Sequence, residues 1–89
     1  MIEQEVEIVN RLGLHARAAA KLVRTAGGYG SQVTLVKEGD QVDAKSILGV
    51  LLLAASQGST VTVRCEGDDE EEAMEAVTRL IADRFHEES

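Results

Sequence analysis

Five consecutive residues, Gly13-Leu14-His15-Ala16-Arg17, set an imidazole and a guanidinium two positions apart where a turn gives way to an Ala-rich segment of helical spacing. Neutral imidazole is a competent nucleophile toward phosphorus near neutral pH, and its phosphoramidate stays reactive enough to pass the group on. Arg17 offers a planar fork of donors suited to phosphate oxygens. The first turn of a helix adds amides that lack intrahelical partners, and the helix dipole favours an anion there. His15 is thus a candidate phosphoryl acceptor, Arg17 a candidate phosphate contact, and the amides of Ala16, Arg17 and Ala18 candidate backbone donors. A histidine before a helix is also a plain cap or surface residue, and the local chemistry leaves both readings open.

Ser46, directly before Ile47-Leu48-Gly49-Val50, is a natural helix N-cap. A phosphate there would meet favourable N–H donors, so modification is electrostatically tolerable. The stretch from Ile47 to Ala55 is apolar nearly all round. A short helix on a two-layer sheet buries one face only, so some of Ile47, Leu48, Leu51 and Leu52 are expected to stay exposed and serve transient docking. Asp68 to Glu72 lacks the alternating ligand spacing of a calcium loop and reads as the start of a helix, with no metal or cofactor expected. Cys65 stands alone in an alternating apolar pattern and reads as a buried small hydrophobe. His86, among Glu87 and Glu88, reads as part of a solvated tail.

These groups must be positioned by 89 residues, 44% of them apolar, with one Phe, one Tyr and no Trp. That allows one domain over 1–89 with an aliphatic core, and it argues against an aromatic surface for stacking bases. A net charge of −7 argues against binding a nucleic-acid backbone. The charge is uneven: residues 8–37 hold five basic residues and no acid, whereas 66–89 hold ten acids against two arginines. An electropositive patch on an acidic protein suits an anion or an acidic partner. The N-terminus lacks the basic and apolar regions of a secretory signal, and the longest apolar run is about half a bilayer span, so the expectation is a cytoplasmic protein without membrane insertion.

Period-two alternation marks strands over Ile2 to Ile8, Gln32 to Lys37 and Ser59 to Cys65. Glu38-Gly39-Asp40 reads as a hairpin turn into a short strand from Gln41 to Ala44. Helical spacing runs from Ala16 to a stop at Gly27-Gly28, and from Lys45-Ser46 to near Gln57-Gly58. A last helix carries Ala73, Met74, Val77, Leu80, Ile81 and Phe85 as one apolar stripe. The expected class is α+β: a two-layer open-faced β-sandwich of order βαββαβα, with a four-stranded, mainly antiparallel sheet and three helices on one face.

Gly13-Leu14-His15-Ala16-Arg17 with Ala19-Ala20, then Ala44-Lys45-Ser46-Ile47-Leu48-Gly49-Val50, Gln57-Gly58 and Glu66-Gly67-Asp68-Asp69-Glu70, resemble the histidine-containing phosphocarrier (HPr) family of the bacterial phosphoenolpyruvate:sugar phosphotransferase system. The resemblance covers essentially the whole chain in register. It implies a carrier and not an enzyme, with His15 phosphorylated on Nδ1 by enzyme I and discharged to the IIA domains of sugar permeases. It makes Ser46 a regulatory serine, served by a kinase and a phosphorylase, and Ile47, Leu48, Leu51 and Leu52 a docking surface; a monomer is expected. The family usually has proline after the active-site arginine, where this chain has Ala18. Alternatives are the nitrogen-related branch of the family, a binding module regulated at Ser46, and an acyl-phosphate hydrolase, for which Asn10 is the one candidate to orient water.

Overall fold

The structure, a computed structural model, describes residues 1–87. Its elements are β1 (Ile2–Glu7), α1 (Ala16–Gly27), β2 (Gln32–Lys37), β3 (Asp40–Asp43), α2 (Ile47–Leu53), β4 (Thr60–Glu66) and α3 (Glu70–Ala82), followed by a short 3-10 turn, Arg84–His86. The strands form one antiparallel sheet in the order β1-β4-β2-β3. This is the open-faced α+β sandwich expected from the alternation of polar and apolar residues.

Because side chains alternate across a strand, the register Val33↔Cys65, Leu35↔Val63 and Val6↔Val61 stacks apolar groups on one face. α3 packs on β1 and β4 over that face, α2 on β3, and α1 lies against α2 and α3. Val33, Leu35, Val63, Cys65, Leu22 and Val77 are fully buried in the single cluster that results. The opposite face of the sheet is wet, and there Arg64 Nε donates to Glu3 at 2.7 Å. Among the described residues no helix is long and apolar enough to cross a membrane.

Strand ends shift by one residue from those expected at β1, β3 and β4, and three differences have a visible cause. The hairpin loop has two residues, Glu38 and Gly39, with φ of 52° and 87°, so Asp40 pairs with Lys37 and β3 starts one residue early. Positive φ at both loop positions matches the right-handed twist of the strands. α2 ends at Leu53 and not near Gln57, because Ala54 takes a left-handed conformation and the Ala55 carbonyl accepts the Leu14 amide at 2.9 Å. Phe85 is fully buried but lies outside the α3 stripe: the helix stops at Ala82, and Phe85 sits in the left-handed turn beyond it. Glu88 lies outside the described residues.

Candidate functional site

The site begins in the loop between β1 and α1. The Gly13 amide donates to the Asn10 carbonyl at 3.2 Å, and Asn10 Nδ2 returns a bond to the Gly13 carbonyl at 2.8 Å. Gly13 has φ of +66°, and a Cβ there would stand 2.6 Å from the Ala55 carbonyl oxygen. Glycine is therefore required both for the backbone angle and for the close approach. With Leu14 buried and bonded to Ala55, the loop is seated on the chain that leaves α2, and His15 is carried to the mouth of α1.

His15 is the N-cap of α1, with extended backbone angles, and its carbonyl accepts the Ala19 amide at 2.8 Å. Its ring bridges two environments. Nδ1 faces the first turn and accepts the Arg17 amide at 3.3 Å, while Nε2 lies 2.5 Å from Glu87 Oε2. The ring keeps 24% of its side-chain surface in solvent, so it stands at the helix mouth and not in the aliphatic interior. A carboxylate only accepts hydrogen bonds, which places the imidazole proton on Nε2 and leaves the Nδ1 lone pair facing the turn.

Glu87 is held from several directions. Its other oxygen accepts Asn10 Nδ2 at 3.1 Å. Burial pushes its carboxyl up, but the hydrogen bonds from His15 and Asn10, with the charge of Lys21, outweigh that and hold it below the usual range. It is ionised at neutral pH.

The Arg17 side chain is exposed and, among the described residues, forms no ion pair. Its amide already points at Nδ1, whereas the Ala16 and Ala18 amides have no hydrogen-bond partner among the described residues. The His15 ring and the Arg17 amide thus meet at the start of α1, where Ala16 and Arg17 are exposed and Ala18 is fully buried. Ser46 is at a separate helix start, where its hydroxyl accepts the Gly49 amide at 3.2 Å. Ile47, Leu48, Leu51 and Leu52 are all exposed, Leu52 to 72%, and Leu12 in the loop before His15 is also exposed. Asn10 is fully buried, with its amide committed to Gly13 and Glu87, so it does not present a group to a water in the cradle.

The sequence profile of the family described as the "PTS HPr component phosphorylation site" matches residues 2–83. The chain belongs to the HPr family. An HPr of Cupriavidus necator is 56% identical over 87 residues, covering 98% of each chain. The crystal structure of HPr-C-His from Thermoanaerobacter tengcongensis superposes with a TM-score of 0.96 at 48% identity, covering all of both chains. A second structure from that organism, described as an HPr dimer, matches with a TM-score of 0.79 at 48% identity, over 98% of this chain and all of that one. HPr proteins are phosphocarriers of the phosphotransferase system, so this chain is a carrier and not a catalyst.

Glu87, which contacts the His15 ring, and Lys21, whose charge acts on Glu87, are not among the candidates drawn from the sequence of this HPr family member, and Asn10 enters there only as a water-orienting residue of the hydrolase alternative. In the sequence Glu87 stands in what reads as a solvated tail, 72 positions from His15.

Proposed function

We propose that this protein takes a phosphoryl group onto His15 Nδ1 from phosphorylated enzyme I and passes it to IIA domains of sugar permeases. The observation that carries this is the division of labour on one ring: Nε2 is occupied by Glu87, while Nδ1 faces an open helix start. In the transfer the Nδ1 lone pair attacks phosphorus and a new N–P bond forms. The bond from phosphorus to the donor's leaving atom breaks, its electron pair stays with the donor, and the proton on Nε2 stays in place. The Ala16, Arg17 and Ala18 amides and the Arg17 guanidinium are disposed to receive the phosphoryl oxygens, as oriented donors at a helix N-terminus do.

All of these groups come from one chain, so a monomer suffices for the reaction. The apolar patch of Ile47, Leu48, Leu51 and Leu52, beside a positive helix start, suits brief docking to acidic partners. Ser46 is the proposed regulatory position: a phosphate added there is a dianion whose field opposes arrival of a second phosphoryl group.

The test is incubation with phosphoenolpyruvate, Mg²⁺ and enzyme I, followed by intact-mass measurement. One added phosphoryl group that is acid-labile, alkali-stable and absent in His15→Ala is expected. Uptake that survives in His15→Ala, or steady release of inorganic phosphate by the protein alone, contradicts the proposal.

A further inference from the structure

The chain beyond α3 is folded in a way that its own residues do not favour. Arg84, Phe85 and His86 have φ of 57°, 55° and 64° in succession, and none is glycine. L-residues enter that region against steric resistance, and a run of them persists only where the surroundings over-determine it. Here the anchors are visible. The Phe85 ring is fully buried, the Phe85 carbonyl accepts Lys21 Nζ at 2.5 Å, and the turn ends in the two bonds of Glu87 to His15 and Asn10.

We propose that this left-handed turn serves to hold the Glu87 carboxylate against His15 Nε2, and that Glu87 is a positioning residue for phosphoryl transfer. The proposal rests on the reading of His15 as the acceptor and deepens it. A carboxylate can accept only an N–H, so it selects the tautomer in which Nδ1 is the bare nucleophile. The Arg17 amide favours the same tautomer, but at 3.3 Å it is a long contact, and it is the one an incoming phosphoryl group displaces. Glu87 lies on the other side of the ring and stays throughout. As the N–P bond forms, the ring gains positive charge with its proton still on Nε2, and a carboxylate at 2.5 Å offsets that charge without any movement.

Asn10 gives independent support. Its Oδ1 is buried without a partner among the described residues, while its Nδ2 serves Gly13 and Glu87. Turning the amide over would set that oxygen against two other oxygens, so the orphaned atom is a consequence of presenting the N–H to Glu87. Orphaned buried acceptors are costly and uncommon, and this one stands directly behind the carboxylate.

The experiment compares the full-length wild type with Glu87→Gln and Glu87→Ala. Imidazole ¹⁵N NMR reports the His15 tautomer, and quenched-flow phosphorylation by enzyme I and phosphoenolpyruvate reports the rate. The wild type is expected to hold the Nε2–H tautomer predominantly. Both variants are expected to show a mixed tautomer population and phosphorylation slowed about tenfold at saturating enzyme I, the effect of removing one hydrogen bond to a charged group. An unchanged tautomer population in both variants overturns the proposal, whatever the rate does, because a rate loss alone would mean damage to docking or folding. A wild type that takes no phosphate on His15 overturns the carrier reading separately, and the tautomer comparison still decides whether Glu87 positions the ring.

Discussion

The Ser31 hydroxyl donates to the Asp69 carboxylate, which also accepts the amides of Gly30 and Ser31 at 2.9 Å each, tying the turn after α1 to the start of α3. The hydrogen bond from Ser31 first, then that from the Gly30 amide, hold the Asp69 carboxyl below its ordinary value against a smaller opposing effect of burial. A carboxylate depressed in the folded state stabilises the protein above its unfolded pKa of roughly 4, and that stabilisation is lost as pH falls through the folded value. Asp69→Asn is therefore expected to lower the urea midpoint at neutral pH. The gap from wild type should narrow on acidification below pH ~4, and a gap that is constant with pH would show that the charge on Asp69 is not what matters.

At α2 the prediction concerns the cap. The Ser46 hydroxyl takes the Gly49 amide of a seven-residue helix, too short to stand on propensity alone. Ser46→Ala should cost about 1 kcal/mol of stability, and Ser46→Asp should restore most of it. Chemical unfolding measures both. In the transfer assay Ser46→Asp is expected to be slower than Ser46→Ala, because only the former adds negative charge; equal rates would remove the regulatory reading.

Ala18 sits in the first turn of α1 with an amide that has no partner among the described residues. Proline there sacrifices no helical hydrogen bond and restricts the unfolded chain, so Ala18→Pro should leave stability unchanged or raise it by up to ~1 kcal/mol. It also deletes an amide proposed to reach the phosphoryl oxygens. Transfer should survive with an altered phosphohistidine lifetime, followed by timed hydrolysis of the phosphorylated form. Identical hydrolysis and transfer rates in Ala18→Pro would mean that this amide contributes nothing.

Leu48 and Leu52 are exposed to 64% and 72%, so charge placed there disturbs no core. Leu48→Asp and Leu52→Asp are expected to change stability by less than about 0.5 kcal/mol. Both should raise the concentration needed for half-maximal transfer from enzyme I, with the maximal rate nearly preserved. A fall in the maximal rate alone would move these residues out of the docking surface.

Much of this architecture could be read before any coordinates. Alternation in Val33, Leu35, Val61 and Val63 declares two half-buried strands, because side-chain direction in a strand depends only on position along it. His15 at a helix mouth, Arg17 beside it and Ser46 before α2 are legible for a similar reason: capping and helix-start chemistry act over three or four residues. The exposed leucines follow from counting how many faces a short helix can bury.

What the chain does between distant positions was decided by packing alone. α2 stops at Leu53 because the Ala55 carbonyl meets the Leu14 amide from another part of the chain, and no residue near Ala54 announces it. Glu87 reaches His15 across 72 positions of sequence through a left-handed turn of ordinary L-residues. Local propensity opposes such a turn, so its signal lies in the burial of Phe85 and the reach of Lys21, which exist only once the helices are assembled. The sequence by itself singled out His15 as the candidate residue to take a phosphoryl group. The tertiary structure decided which nitrogen of that ring is left bare, because tautomer choice depends on a partner that only folding brings within 2.5 Å.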